Sequence, residues 1–126
     1  MQATALRFNH DSYLRSIAIS QANAMADRMR GNQLGVDAGH YNNLSGTPSM
    51  PTCSVCTPAD IAQRDLHEWN TTNALLLPAG QGTVSVNGTV FTITVRWDND
   101  RTGATGTGCS GNSSVDLSCV RMSTQL

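Results

Sequence analysis

Between Ala3 and Arg30 the chain contains no glycine or proline, while Leu6, Leu14, Ile17, Ala18, Met25 and Met29 recur at helical spacing. That period sets them on one stripe of a long amphipathic α-helix. At 1.5 Å per residue such a helix spans roughly 40 Å, more than a small domain needs to cover its core, so one end is expected to project. Gly31-Asn32 ends it, with Arg28 and Arg30 complementing the dipole in the last turn. No capping residue precedes Gln2-Ala3-Thr4-Ala5-Leu6, which predicts that the chain is cut from a longer helix.

Residues 31–57 are rich in Gly, Asn, Ser and Pro and read as an irregular connection. Thr57-Pro58-Ala59-Asp60 then supplies an N-cap, a proline at the first helical position and an acid at the third. The helix this begins is predicted over 58–76, with Ile61, Leu66, Trp69 and Leu76 on its buried side and Pro78 with Gly80 stopping it. Residues 82–86 and 89–97 alternate in strand fashion about Asn87-Gly88, a hairpin signal. Phe91, Ile93, Val95 and Trp97 fall on one side of the second strand and define its core face. A Gly/Thr-rich loop over 98–114 precedes a third strand predicted at 115–122. The expectation is one α+β domain over 1–126, its antiparallel sheet within 82–122. Its core combines Met25, Met29, Leu66 and Trp69 with Phe91, Ile93, Val95 and Trp97.

Charge points to no strongly charged partner. The net charge is −1, and the eight basic residues are all arginines scattered along the chain, so nucleic acid is not indicated. Charged residues make up only 13%, which with the Gly, Ser, Thr and Asn content suits an extracellular protein with long polar loops. The four cysteines, Cys53, Cys56, Cys109 and Cys119, form two local pairs and read as two disulfides made in an oxidising compartment. Four cysteines allow three connectivities; pairing Cys53 with Cys56 and Cys109 with Cys119 asks least of the fold.

The segments Leu6-Arg7, Arg15-Ser16 and Ala26-Asp27-Arg28-Met29-Arg30-Gly31-Asn32 resemble the first helix of the PilV family of type IV pilus minor pilins. Cys56-Thr57-Pro58-Ala59-Asp60 with Asp65-Leu66-His67-Glu68-Trp69 resembles that family's second helix, and Thr92-Ile93-Thr94-Val95-Arg96-Trp97-Asp98 its central strand. The likeness runs over most of residues 3–101, and the tail from Thr102 departs from it. The resemblance implies a pilin-like fold and a non-catalytic subunit that helps prime pilus assembly, in or near the tip, in support of adhesion and twitching motility. Implied partners are other minor pilins, the major pilin and a tip adhesin, with the inner membrane reached through the missing first half of the helix. The implied location is periplasm and inner membrane before assembly and the extracellular pilus after it. On this reading Leu6, Tyr13, Leu14 and Ile17 pack against neighbouring pilins, and Ile17, Met25 and Met29 cover the sheet. A minor pseudopilin of a type II secretion system is the near alternative; a small secreted metal- or glycan-binding module, or an exported redox protein, is the distant one.

Motifs that would carry other chemistry are incomplete, and no cofactor is expected. Cys53-Ser54-Val55-Cys56 lacks the preceding strand of a thioredoxin-like pair. Cys109 and Cys119 are spaced poorly for the second half of a zinc site. His67-Glu68 is followed by Thr71 where a metalloprotease helix needs its second histidine. Asp98-Asn99-Asp100-Arg101-Thr102-Gly103 imitates the start of a calcium loop but closes on Cys109 instead of a glutamate. His10 and His40 have no suggested partner, and the Asn-x-Ser/Thr triplets at Asn70, Asn87 and Asn112 carry little weight.

Overall fold

The computed structural model describes residues 2–126, with side chains from residue 10 onward. Helix α1 (Gln2–Arg30) is followed by a short α2 (Gln33–Asp37), a two-residue strand β1 (Asn43–Leu44) and helix α3 (Pro58–Leu76). Strands β2 (Gln81–Asn87), β3 (Val90–Trp97) and β4 (Ser118–Gln125) complete an antiparallel sheet in the order β1-β2-β3-β4. The architecture is α+β, with four strands where three were predicted. The connection over 31–57 is less irregular than expected: it contains α2 and β1, elements too short to leave a periodic signal.

Leu14, Ala18, Ala22, Met25 and Met29 face inward from α1 at steps of four, four, three and four. Most are alanines and methionines, so the helix axis sits close to β3, β4 and α3, on which it packs. Helix α3 starts as its residues demand: Thr57 accepts from the Asp60 amide and Asp60 accepts from the Thr57 amide, a complete capping box with Pro58 behind it. Ala62, Leu66 and Trp69 are buried, and Ile61 is half-buried. Leu76, predicted on the buried side, is 47% exposed; the last turn points it outward, and Leu77, just beyond the helix, takes the buried position.

The hairpin turn lies one residue later than its Asn-Gly signal. Asn87 pairs with Val90, so the turn is Gly88-Thr89, and Gly88 alone carries positive φ, as a II′ turn requires. The last strand is shifted too. Strand β3 ends at Trp97, opposite Ser118, so Val115 to Leu117 have no strand to join. Their backbone pairs with Gly106 instead, while β4 continues through Ser123 and Gln125 to match the start of β3. Val84, Phe91, Ile93, Val95 and Trp97 form the buried sheet face, as the alternation predicts for β3.

Three asparagine and glutamine side chains join the layers. Trp69 Nε1 donates to the Gln21 carbonyl at 2.8 Å, and Gln21 Nε2 donates to Asn73 Oδ1 at 3.0 Å, linking α1 to α3. Asn73 Nδ2 donates in turn to Asn70 Oδ1, which also accepts the Gly82 amide, while Asn70 Nδ2 donates to the carbonyls of Gly46 and Gly82. Asn70 therefore acts as a strand-like partner for the first residues of β2. A Cβ on Gly82 would lie 2.3 Å from Trp69 Cη2, so only glycine lets α3 come this near. A second buried cluster ties α1 and the connection to α3: Tyr41 donates to Asp65 at 2.6 Å, Arg28 reaches Asp65 at 3.1 Å, and Asn32 donates to Tyr41 and the Pro58 carbonyl. Burial, reinforced by the Asp65 carboxylate that accepts its proton, raises the Tyr41 phenol and keeps it neutral.

Replacing Asn70 with Ala should strand the Gly82 amide and carbonyl together. A loss of about 3 kcal/mol is expected by chemical denaturation, since each unsatisfied buried group costs about 1 to 3 kcal/mol. A loss below about 1 kcal/mol would mean water replaces the side chain.

Candidate functional site

Two surfaces offer themselves for recognition: the outward face of α1 and the loop between β3 and β4. On α1 the four residues assigned to packing with neighbouring subunits separate. Leu6 lies among residues whose side chains are outside the described part of the structure. Tyr13 is 63% exposed and Ile17 is half-buried against the core. Leu14 is buried in the domain's own core, which corrects its assignment to an outward contact. Its position explains the correction, because Leu14 stands four residues before Ala18 and eight before Ala22 on the inward stripe. The exposed residues of α1 from residue 10 onward are His10, Ser12, Tyr13, Arg15, Ser16, Ile19, Ser20, Asn23, Asp27 and Arg30. Ile19, 46% exposed, had not been singled out, because outward apolar residues carry no periodic signal of their own.

The loop after β3 is built by polar side chains closing on backbone. Asp98 accepts the Thr102 amide at 3.0 Å and the Gly103 amide at 2.9 Å, and its own amide donates to the Pro78 carbonyl. Both carboxylate oxygens are thus occupied within the turn, so the calcium-loop likeness resolves into a capped turn. Asn99 accepts from Trp97 Nε1 at 2.8 Å and donates to Asp11 at 2.9 Å, fastening the end of β3 to α1. The Arg15 guanidinium lies over the Trp97 ring at 5.6 Å from its centroid. Further along, the Thr102 hydroxyl donates to the Ser113 carbonyl, and Asp116 accepts the Ser110 amide at 3.1 Å. A Cβ on Gly106 would lie 1.9 Å from Asp116 Oδ1, so this glycine is required by close approach.

Both disulfides are local. Cys53 bonds Cys56 and Cys109 bonds Cys119, leaving no free cysteine. The first closes the connection ahead of α3, and the second ties the loop to β4. His67 is half-buried, its Nδ1 2.6 Å from the Pro48 carbonyl, and Glu68 meets Arg28 and Arg64. The pair therefore supports the connection and an ion-pair cluster. Asn70, the head of one glycosylation-type triplet, is buried and bonded. Among the described residues no group of three His, Cys, Asp or Glu side chains gathers as a metal site would need.

Two outcomes test the loop. Replacing Cys109 and Cys119 together with Ser should cost roughly 2 to 3 kcal/mol of stability from lost loop closure, measured by chemical denaturation. Hydrogen bonds from the Ser110 hydroxyl and amide lower the Asp116 carboxyl below its ordinary value. A carboxyl lowered in the folded state stabilises above its unfolded value, about pH 4, and that contribution fades as pH falls through the folded value. Amide exchange at Ser110 should therefore quicken in acid in the native chain and be independent of pH in that window in Asp116→Asn, after correction for intrinsic rates.

No protein-family model matches the chain, and neither a curated protein nor a solved structure resembles it significantly.

Proposed function

We propose that this domain is a non-catalytic assembly subunit with a pilin-like fold, a minor pilin of a type IV pilus, exported and working through packing between subunits. The observation that carries the proposal is the division of α1 into two faces. One face, from Leu14 to Met29, is consumed by the domain's own sheet and α3. The other presents Tyr13 and Ile19 among small polar residues that leave the helix backbone approachable. A helix used on one side by its own domain and carrying mostly small residues from Ser12 to Asn23 on the other suits side-by-side packing with like helices. The two disulfides fit an oxidising compartment, and the resemblance of residues 3–101 to PilV-type minor pilins supplies the machine.

In this proposal the partners are other minor pilins and the major pilin, the route is from inner membrane and periplasm to the pilus, and adhesion and twitching follow from the filament. Tyr13 and Ile19 take the contact role, with Leu14 acting inside the domain. Changing Tyr13 and Ile19 together to Asp should leave the unfolding midpoint unchanged, because both are exposed, yet abolish co-purification with other minor pilins. The same variant, expressed in piliated cells, should reduce surface pili and twitching severalfold. Wild-type complex formation and piliation by the double variant would overturn the proposal.

A further inference from the structure

Arginine usage in the chain is uneven. Arg28 and Arg64 meet Asp65 or Glu68, and Arg30 meets Asp27. Arg15 and Arg121 have no carboxylate partner among the described residues, although both are exposed and far apart in sequence. The fold brings them to the walls of one cleft of about 380 Å³, also lined by Leu117, Ser118 and the Cys109–Cys119 bridge. The cleft runs along β4, the open edge of the sheet. An adjoining hollow shares Arg15 and Ser118 and adds Asp11, an acid whose Oδ1 already accepts from Asn99.

Each wall is prepared differently. The Arg15 guanidinium lies over Trp97, which is itself fixed by its bond to Asn99. A guanidinium carries five N–H donors in a fork that matches an oxyanion, and no carboxylate among the described residues takes them up at Arg15. Arg121 is held on the outer face of β4, beside Arg96 of β3. Burial, and then the like charge of Arg121, lower the Arg96 guanidinium below its ordinary value. Arg96 reaches only a neutral acceptor, Thr83 Oγ1, and its buried Nε has no partner among the described residues. Two cations thus line the cleft beside the disulfide with no carboxylate bonded to them among the described residues, and Arg96, turned toward β2, adds its charge from the next strand. Guanidinium groups donate and never accept, so what completes such a cleft is rich in acceptors and negatively charged.

We propose that the cleft between Arg15 and Arg121, floored by the Cys109–Cys119 bridge, binds a small oxyanion, the carboxylate or phosphate group of a sugar-sized ligand. Its volume lies at the small end of the range for small-molecule sites, about 300 to 1,000 Å³. The site is separate from the outward face of α1 carried by Tyr13 and Ile19, and it goes beyond assembly: it gives the subunit something to hold. The disulfide acts as scaffold, because it fixes Cys109 in its left-handed conformation beside Gly111 at the cleft floor.

The test is a nuclear magnetic resonance titration of the oxidised 126-residue chain at low salt, with sodium glucuronate, inorganic phosphate and uncharged glucose as probes. Saturable shifts at the side-chain N–H groups of Arg15 and Arg121 are expected with at least one anion and not with glucose, with a dissociation constant on the order of 1 mM. Arg15→Gln and Arg121→Gln should each weaken binding by about tenfold or more, the value of one charge-assisted bond, while the unfolding midpoint stays put. Raising ionic strength from about 0.01 to about 0.15 M should weaken it too, as the Debye length falls from about 30 to about 8 Å. Tighter binding of glucuronate would identify a carboxylated sugar as the ligand, and tighter binding of phosphate a phosphate group. Absence of shifts with both anions, or equal shifts in both variants, would overturn the proposal. Because the titration needs no other pilin, its failure leaves the assembly proposal standing, and the reverse also holds.

Discussion

The approach of α3 to the edge of the sheet is the constraint on which the rest of the domain depends. Trp69 lies against Gly82 so closely that a methyl group there would overlap its ring. Strand β1 covers β2 at only two residues, Ser85 and Val84, so the backbone of Gly82 needs another partner. Asn70 supplies it with one acceptor and one donor from a single amide. A side chain in place of a fourth full strand lets helix and sheet share an edge, and it fixes where α3 sits. Buried polar groups that are fully paired in this way specify one arrangement, because any slippage would leave several of them unsatisfied at once.

Helix α1 inherits its position from α3. Gln21 meets α3 with both its backbone carbonyl and its side-chain amide, and Arg28, seven residues on, meets Asp65 and Glu68. The sheet adds an apolar bed of Phe91, Ile93 and Val95, but alanines and methionines on α1 are forgiving partners that discriminate little among rotations of the helix. The polar contacts with α3 set that rotation. They therefore also decide which residues of α1 look outward, so an internal amide network governs the composition of the proposed contact face.

Much of this was legible because the strong signals are local. The Gly- and Pro-free run gave α1, the Thr57-Pro58-Ala59-Asp60 box gave the start of α3, and alternation gave the core face of β3. Close cysteine spacing was enough for both bridges. What escaped depends on contacts between distant residues. Leu14 was assigned outward because the helix looked longer than its core, and only the surroundings of Ala18 and Ala22 show that its stripe stays covered. The end of β4 was missed because Ser123, Thr124 and Gln125 are all polar and show no alternation, so register with β3 alone decides their place. Asn70 and Asn73 sit on the apolar side of α3, where a polar residue at helical spacing is itself a signal. Arg15 and Arg121 are simply surface arginines until the fold sets them across one cleft.

The sheet is a meander whose strands follow chain order, whereas α1, which precedes all of them, lies on α3 and on β3 and β4, the last two strands. Order of synthesis and order of docking are therefore opposed. Contacts of α1 with α3 and β3 can form before the chain is complete, but those with β4 wait for Ser118–Gln125, so helix and final strand must close a loop of most of the chain's length. The sheet can zip from its hairpin outward before that closure, but the helix waits. A nascent domain of this design finishes covering its first helix only when the final strand arrives.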